Sequence, residues 1–183
     1  MSYEISIWYQ ITWFFFFYKK YPSILEGFND ADWNTLSGNS LSTTCYIFTL
    51  SGGAICWKSK KQTIIANSTM EAEFIALVSA SEEANWLRYL LHEIALWEKL
   101  MPPVLIHRDS TATIGRVCNC FYNSKSRLIR RKHNIVRSYF SNGIINIEYV
   151  KSCDNLVDPS TKALTRERVW NITREMGLKP IQS

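Results

Sequence analysis

The run Asn67-Ser-Thr-Met-Glu-Ala-Glu-Phe-Ile-Ala-Leu77 commits the middle of this chain to a helix. Ser68 and Thr69 are good N-cap residues, and Glu71 lies three positions after Ser68, the spacing of a capping box. Apolar residues then recur at helical spacing: Phe74, Leu77, Val78, Ala84, Leu87, Leu91 and Ile94. The pattern predicts a helix from about Thr69 to Trp97. Glu73 falls four residues before Leu77, at the margin of the buried stripe, where a carboxylate is costly unless something pairs with it. Asp30 and Asp109 each lie in or at the end of a strand-like run, and Asp158 lies near the start of a helix-like one. Four carboxylates from four separate elements, converging on one point, would make a magnesium site.

The rest of the chain supplies a sheet for that helix. Ser23 to Trp33 reads as a first strand, with Ile24, Glu26, Phe28, Asp30 and Asp32 on one face. Periodicity therefore does not choose between Asp30 and Asp32. Thr43 to Leu50 is rich in strand formers, Ser51-Gly52-Gly53 signals a tight hairpin, and Ala54 to Lys58 returns as a third strand. Lys58 to Lys61 reads as a solvated edge that could touch phosphate. After Pro102-Pro103, Val104 to His107 is a fourth strand ending in Arg108-Asp109. Ser110 or Thr111 can cap a short helix through Val117. Lys125 to Tyr139 is a second helical stretch, Asn142-Gly143 a turn, and Ile144 to Val150 a fifth strand. Asp154-Asn155 opens a last helical section past Asp158 to about Met176, with Gly177 as a terminator. Short turns make the first three strands antiparallel, and crossovers through helices make the last two parallel.

Length suits a single domain: 183 residues are enough for a real core. The net charge of +5 favours a polyanionic partner without specifying one. Five scattered cysteines point to a reducing compartment rather than a disulfide framework, hence to an intracellular, cytoplasmic or nuclear setting. Cys118 and Cys120 are too close and too few for a zinc site. Residues 1–19 form an atypical segment. Ile5 to Tyr18 is apolar and aromatic, yet shorter than the about 20 residues that span a bilayer, and it lacks the basic start of a signal peptide. The segment is set aside from the fold, the domain is taken as residues 20–180, and a membrane is not an expected partner.

Several motifs, in order, resemble the ribonuclease H domain that ends the polyprotein of copia-type retrotransposons, plant elements above all. They are Leu25-Glu-Gly-Phe-Asn-Asp-Ala-Asp-Trp33, Gly53-Ala-Ile-Cys-Trp-Lys-Ser-Lys-Lys-Gln62, the Ser68 to Leu77 run, Ile106-His-Arg-Asp-Ser110, Ile129-Arg-Arg-Lys-His-Asn134 and Asp158-Pro-Ser-Thr-Lys162. The resemblance implies an α/β fold of ribonuclease H type: a five-stranded mixed sheet, first three strands antiparallel, with helices on both faces. It implies that Asp30, rather than Asp32, joins Glu73, Asp109 and Asp158 as catalytic metal ligands. Asp30 would bridge two Mg2+ ions (Mn2+ being the alternative), Glu73 and Asp109 would complete one site, and Asp158 the other. Two such ions about 4 Å apart activate a water and stabilise both the developing charge and the leaving oxygen. Carboxylates this close repel without metal, so a loose metal-free site is expected.

By the same resemblance the basic stretch Lys125, Arg127, Arg130, Arg131, Lys132, His133 and Arg137 is the nucleic-acid-binding surface, where phosphate contacts would give salt-sensitive affinity. Its bland reading is an amphipathic helix with a solvated charged face. His107, two residues before Asp109, shares that strand face and is expected near the site. The chain departs from the family at Arg108, where relatives usually carry a small residue and where a cation would compete with magnesium. It departs also at Thr111, Leu128 and Ser160, and no histidine lies between the fifth strand and Asp158. The expected function is metal-dependent hydrolysis of the RNA strand of RNA–DNA hybrids, with a reverse transcriptase portion as partner in the parent polyprotein. The alternative is a degenerate remnant that only binds nucleic acid through its basic face.

Overall fold

The computed structural model of the protein describes residues 24–33, 41–94, 101–118 and 127–157. The hydrophobic N-terminal segment and the domain limits, the helix beyond residue 94, Lys125, and Asp158 with the helix expected to follow it lie outside the described residues.

The elements are β1 Leu25–Asp32, β2 Thr43–Leu50, β3 Gly53–Lys61, α1 Thr69–His92, β4 Val104–Arg108, α2 Thr111–Cys118, α3 Arg127–Ser141, β5 Ile145–Tyr149 and a single 3-10 turn, Ser152–Asp154. The strands form one sheet in the order β3-β2-β1-β4-β5. β1, β2 and β3 are antiparallel, whereas β4 is parallel to both β1 and β5. The local signals are realised closely. Ser51 and Gly52 both take positive φ, 52° and 81°, as a two-residue hairpin of right-handed twist requires. A β-bulge between Phe48 and Thr49 absorbs one extra residue of β3, which then runs on to Lys61, three residues past the expected end.

At the start of α1, the Ser68 hydroxyl accepts from the Glu71 N–H at 3.2 Å. The Glu71 carboxylate reaches back to the Asn67 N–H at 2.9 Å, one residue before the cap position of the ordinary capping box. α3 ends with Gly143 at φ 65°, the Ile144 N–H bonding Tyr139 O and the Gly143 N–H bonding Phe140 O. These are the two bonds of a Schellman motif.

One face of α1 is buried against the sheet. Phe74, Leu77, Val78, Leu87 and Leu91 pack with Leu25 of β1, with Phe48 and Leu50 of β2 and with Val104, Ile106, Ile145 and Ile147 of the parallel strands. Each such side chain contributes about 1.5–3 kcal/mol of apolar burial. Val117 of α2 and Ile129 and Val136 of α3 complete the same core, so the three described helices cover one face of the sheet, and the helices expected on both faces are seen on one among the described residues. On the opposite face, Val157 packs with Cys45 and Ile47.

Candidate active site

Three of the four predicted carboxylates come to one end of the sheet. Phe28 lies opposite His107 in the parallel β1–β4 pair, so two residues further along each strand stand Asp30 and Asp109. Asp30 is buried, and Asp109 follows directly on the last residue of β4. Glu73 approaches from α1, just past its first turn. Asp109 accepts a hydrogen bond from the Ser152 hydroxyl at 2.7 Å, which ties the end of β4 to the turn after β5. Close by, the Asn155 amide donates to the backbone carbonyl of Asn29 at 3.3 Å, and its carbonyl accepts from the Val157 N–H. The segment leading to Asp158 is thereby pinned beside β1; Asp158 itself lies outside the described residues.

The centre of this end of the sheet is held by Arg108. Val104, Ile106 and Arg108 share the buried face of β4. At the last of these positions the guanidinium is 1% exposed. Its Nη2 donates to Glu73 Oε2 at 2.8 Å and lies 3.4 Å from the Glu73 carbonyl. Burial pulls its pKa down, while Glu73 first and then Asp109 and Asp30 push it back up. A guanidinium so placed keeps its charge. Among the described residues Nε and Nη1 are buried without a hydrogen-bond partner, and so are both polar atoms of the Asn29 side chain on β1.

In kind, the carboxylates suit a hard divalent cation, which takes oxygen ligands. In position, one oxygen of Glu73 is already engaged by Arg108 and one of Asp109 by Ser152. Among the described residues no three His, Cys, Asp or Glu side chains group closely enough to hold a metal ion. The expected loosening of a metal-free carboxylate cluster is also met differently, because the guanidinium supplies positive charge from within the chain.

The predicted basic surface divides. Arg127 opens α3, and Arg130 and Arg131 are exposed on it. Arg137 is half-buried, and Lys132 borders a groove of about 330 Å³. His133 is a correction. It is 2% exposed, its Nε2 lies 3.1 Å from the Arg116 carbonyl, and its ring stacks on Phe74 at 5.8 Å. The 3.6-residue period explains this, since His133 falls four after Ile129 and three before Val136, both core residues. It is therefore a packing residue, off the surface that would meet a phosphate. His107 likewise sits back from the carboxylates, stacked on Phe28 at 4.8 Å and 3.7 Å from Glu26.

The groove itself was only partly foreseeable. Lys58, Lys60 and Lys61 of β3 form one wall, Trp86 of α1 and Lys132 of α3 the other, with Gln62 at its base and Glu82 and Glu83 bordering it. The lysine run was visible in sequence. Its alignment with Lys132, 71 residues after Lys61, depends on how α3 packs on α1.

No family model matches the chain. It is 33% identical over 145 residues, 79% of its length, to the retrovirus-related Pol polyprotein from transposon TNT 1-94 of Nicotiana tabacum. It is 30% identical over 163 residues, 88% of its length, to that from transposon RE2 of Arabidopsis thaliana. The chain spans 11% of the length of each of these curated relatives. Among solved structures, the N-terminal ribonuclease H domain of a Mycobacterium tuberculosis protein superposes with TM-score 0.54 at 11% identity, covering 84% of this chain and 98% of that one. The LC11 ribonuclease H1, solved in complex with an RNA/DNA hybrid, gives 0.53 at 16% identity, covering 75% and 92%. Ribonuclease H1 of Halobacterium salinarum gives 0.52 at 16% identity, covering 80% and 98%. The chain thus has the ribonuclease H fold and is, over most of its length, a homologue of the retrovirus-related Pol polyproteins of plant transposons.

Proposed function

We propose that this segment acts on RNA–DNA hybrids, hydrolysing the RNA strand during reverse transcription of a copia-type element inside the cell. In that reading it works beside the reverse transcriptase portion of the parent polyprotein. The observation that supports the reading is that Asp30 and Asp109 stand at neighbouring positions of the β1–β4 pair, with Glu73 of α1 joined to the end of β4 through Arg108. Asp158 follows the pinned residue Val157 and would be the fourth member. Together these four would hold Mg2+ or Mn2+, and such ions, when bound, would activate the attacking water and stabilise charge on the phosphate. The chain's own residues do the positioning. Ser152 fixes the Asp109 carboxylate, Asn155 fastens the following segment to β1, and the exposed Arg130 and Arg131 give phosphate contacts that do not depend on sequence.

A second reading, a remnant that binds hybrid without cutting it, is favoured by the Arg108–Glu73 ion pair, which occupies a proposed metal ligand. Cleavage of a labelled RNA–DNA hybrid in magnesium, with an RNA duplex as control and Asp109→Asn as the variant, separates the two. Hybrid-selective cutting abolished by the substitution is the expected outcome. A folded wild type that binds hybrid in a salt-sensitive way and leaves the RNA intact would establish the remnant instead.

A further inference from the structure

We infer that Arg108 is the resident counter-ion of the carboxylate cluster, and that divalent metal binding and the Arg108–Glu73 pair are mutually exclusive states of the site. The inference rests on the reading of Asp30, Glu73 and Asp109 as metal ligands. A guanidinium that is 1% exposed is expensive to bury unless its charge is compensated. Here the compensation is the Glu73 carboxylate at 2.8 Å, with Asp109 and Asp30 adding their fields. A divalent cation ligated by Glu73 would need the oxygen that Nη2 now holds and would place two more positive charges beside a desolvated one.

Among the described residues the guanidinium makes its side-chain hydrogen bond to Glu73 alone. Nε and Nη1 already lack hydrogen bonds, and the neighbouring Asn29 amide is equally unpartnered. The register of the β1–β4 pair sets the Asn29 side-chain carbonyl opposite Arg108, as an acceptor to which the guanidinium could turn. Arg108 can shift toward Asn29 when metal takes Glu73, but at the cost of its ion pair with that carboxylate. Metal affinity is thereby reduced by the work of breaking that pair, and the metal-free protein keeps a neutralised, ordered site.

The test is thermal unfolding and calorimetric titration of the full chain with Mg2+ and with Mn2+, against a chelator control, in wild type and in Arg108→Met. Methionine fills much of the volume and removes the charge. Wild type is expected to gain clearly less in melting temperature on adding metal than the variant does. Arg108→Met is expected to melt lower in chelator, to recover on adding metal, and to bind Mn2+ about tenfold more tightly or better. A metal-induced shift in wild type as large as in the variant overturns the inference; hybrid cleavage by that same wild type would leave the nuclease reading standing. Absence of any metal response in either protein overturns the inference as well, and absence of cleavage would then take the nuclease reading with it.

If Arg108→Met does not fold, the side-chain Nε–H resonance of Arg108 in wild type carries the test. It is expected to be shielded from solvent exchange in chelator and to lose that shielding as magnesium approaches saturation. A resonance that ignores bound metal overturns the exclusivity.

Discussion

Gly27 faces the Phe48 ring across the β1–β2 pair, and a Cβ added there would come within 2.5 Å of that ring. Phe48 is fully buried beneath α1, so the ring has no free direction in which to retreat. Gly27→Ala is expected to destabilise the fold by about 1–3 kcal/mol through overpacking, read as a lower denaturant midpoint at unchanged slope. The effect should be indirect on the carboxylates, which lie further along β1. Two polar side chains beside Phe48 share one acceptor. The Tyr46 hydroxyl donates to Glu83 at 2.6 Å and the Cys56 thiol donates to the other oxygen at 3.4 Å. Burial first, then the Glu83 charge, pushes the Cys56 thiol up to about 12, so it stays protonated and works as a hydrogen-bond donor.

At the scale of elements, α3 has two distinct sides. Ile129, His133 and Val136 face the core, whereas Arg130 and Arg131 face outward. Substituting both outward arginines by alanine is expected to weaken hybrid binding alike for all sequences. It should also lower the slope of log affinity against log salt by roughly 1–2, while leaving the melting temperature nearly unchanged. Equal loss of stability and affinity would instead mean that the face is structural. α1 plays the opposite part, since it carries Glu73 and the largest share of the core on one helix, which couples the position of that carboxylate to the packing of Phe74 and Leu77.

For the molecule as a whole, protection from amide exchange should follow depth in the sheet. β1 and β2 are each paired on both sides and lie under α1, whereas β5 is a five-residue strand at the margin with an exposed outer face. Native-state exchange is expected to give the largest opening free energies in β1, β2 and α1, and clearly smaller ones in β5 and in the Lys58–Lys61 end of β3. The same division explains what could be read beforehand. The cap at Ser68, the turns at Ser51-Gly52 and Asn142-Gly143 and the order of strands are written in neighbouring residues, and each appears where the sequence puts it. The place of Arg108 was not legible in the same way. Alternation assigns its position to an apolar face, and the carboxylate that makes this tolerable lies 35 residues earlier, on α1. Ser152 and Asn155 carry no local signal either, because their partners, Asp109 and Asn29, are distant in sequence. His133 could have been read, since the period that places Ile129 and Val136 inside takes it along.

Among the described residues the sheet stops at β3, whose residues from Trp57 to Lys61 are exposed. A strand margin of this length is a template on which another chain can continue the ladder. Lys58, Lys60 and Lys61 set ammonium groups along it. Two copies approaching edge to edge would bring like charges together at the spacing of paired strands. The lysines that wall the groove thus also guard the molecule against self-association, a protection that rising salt would gradually screen away.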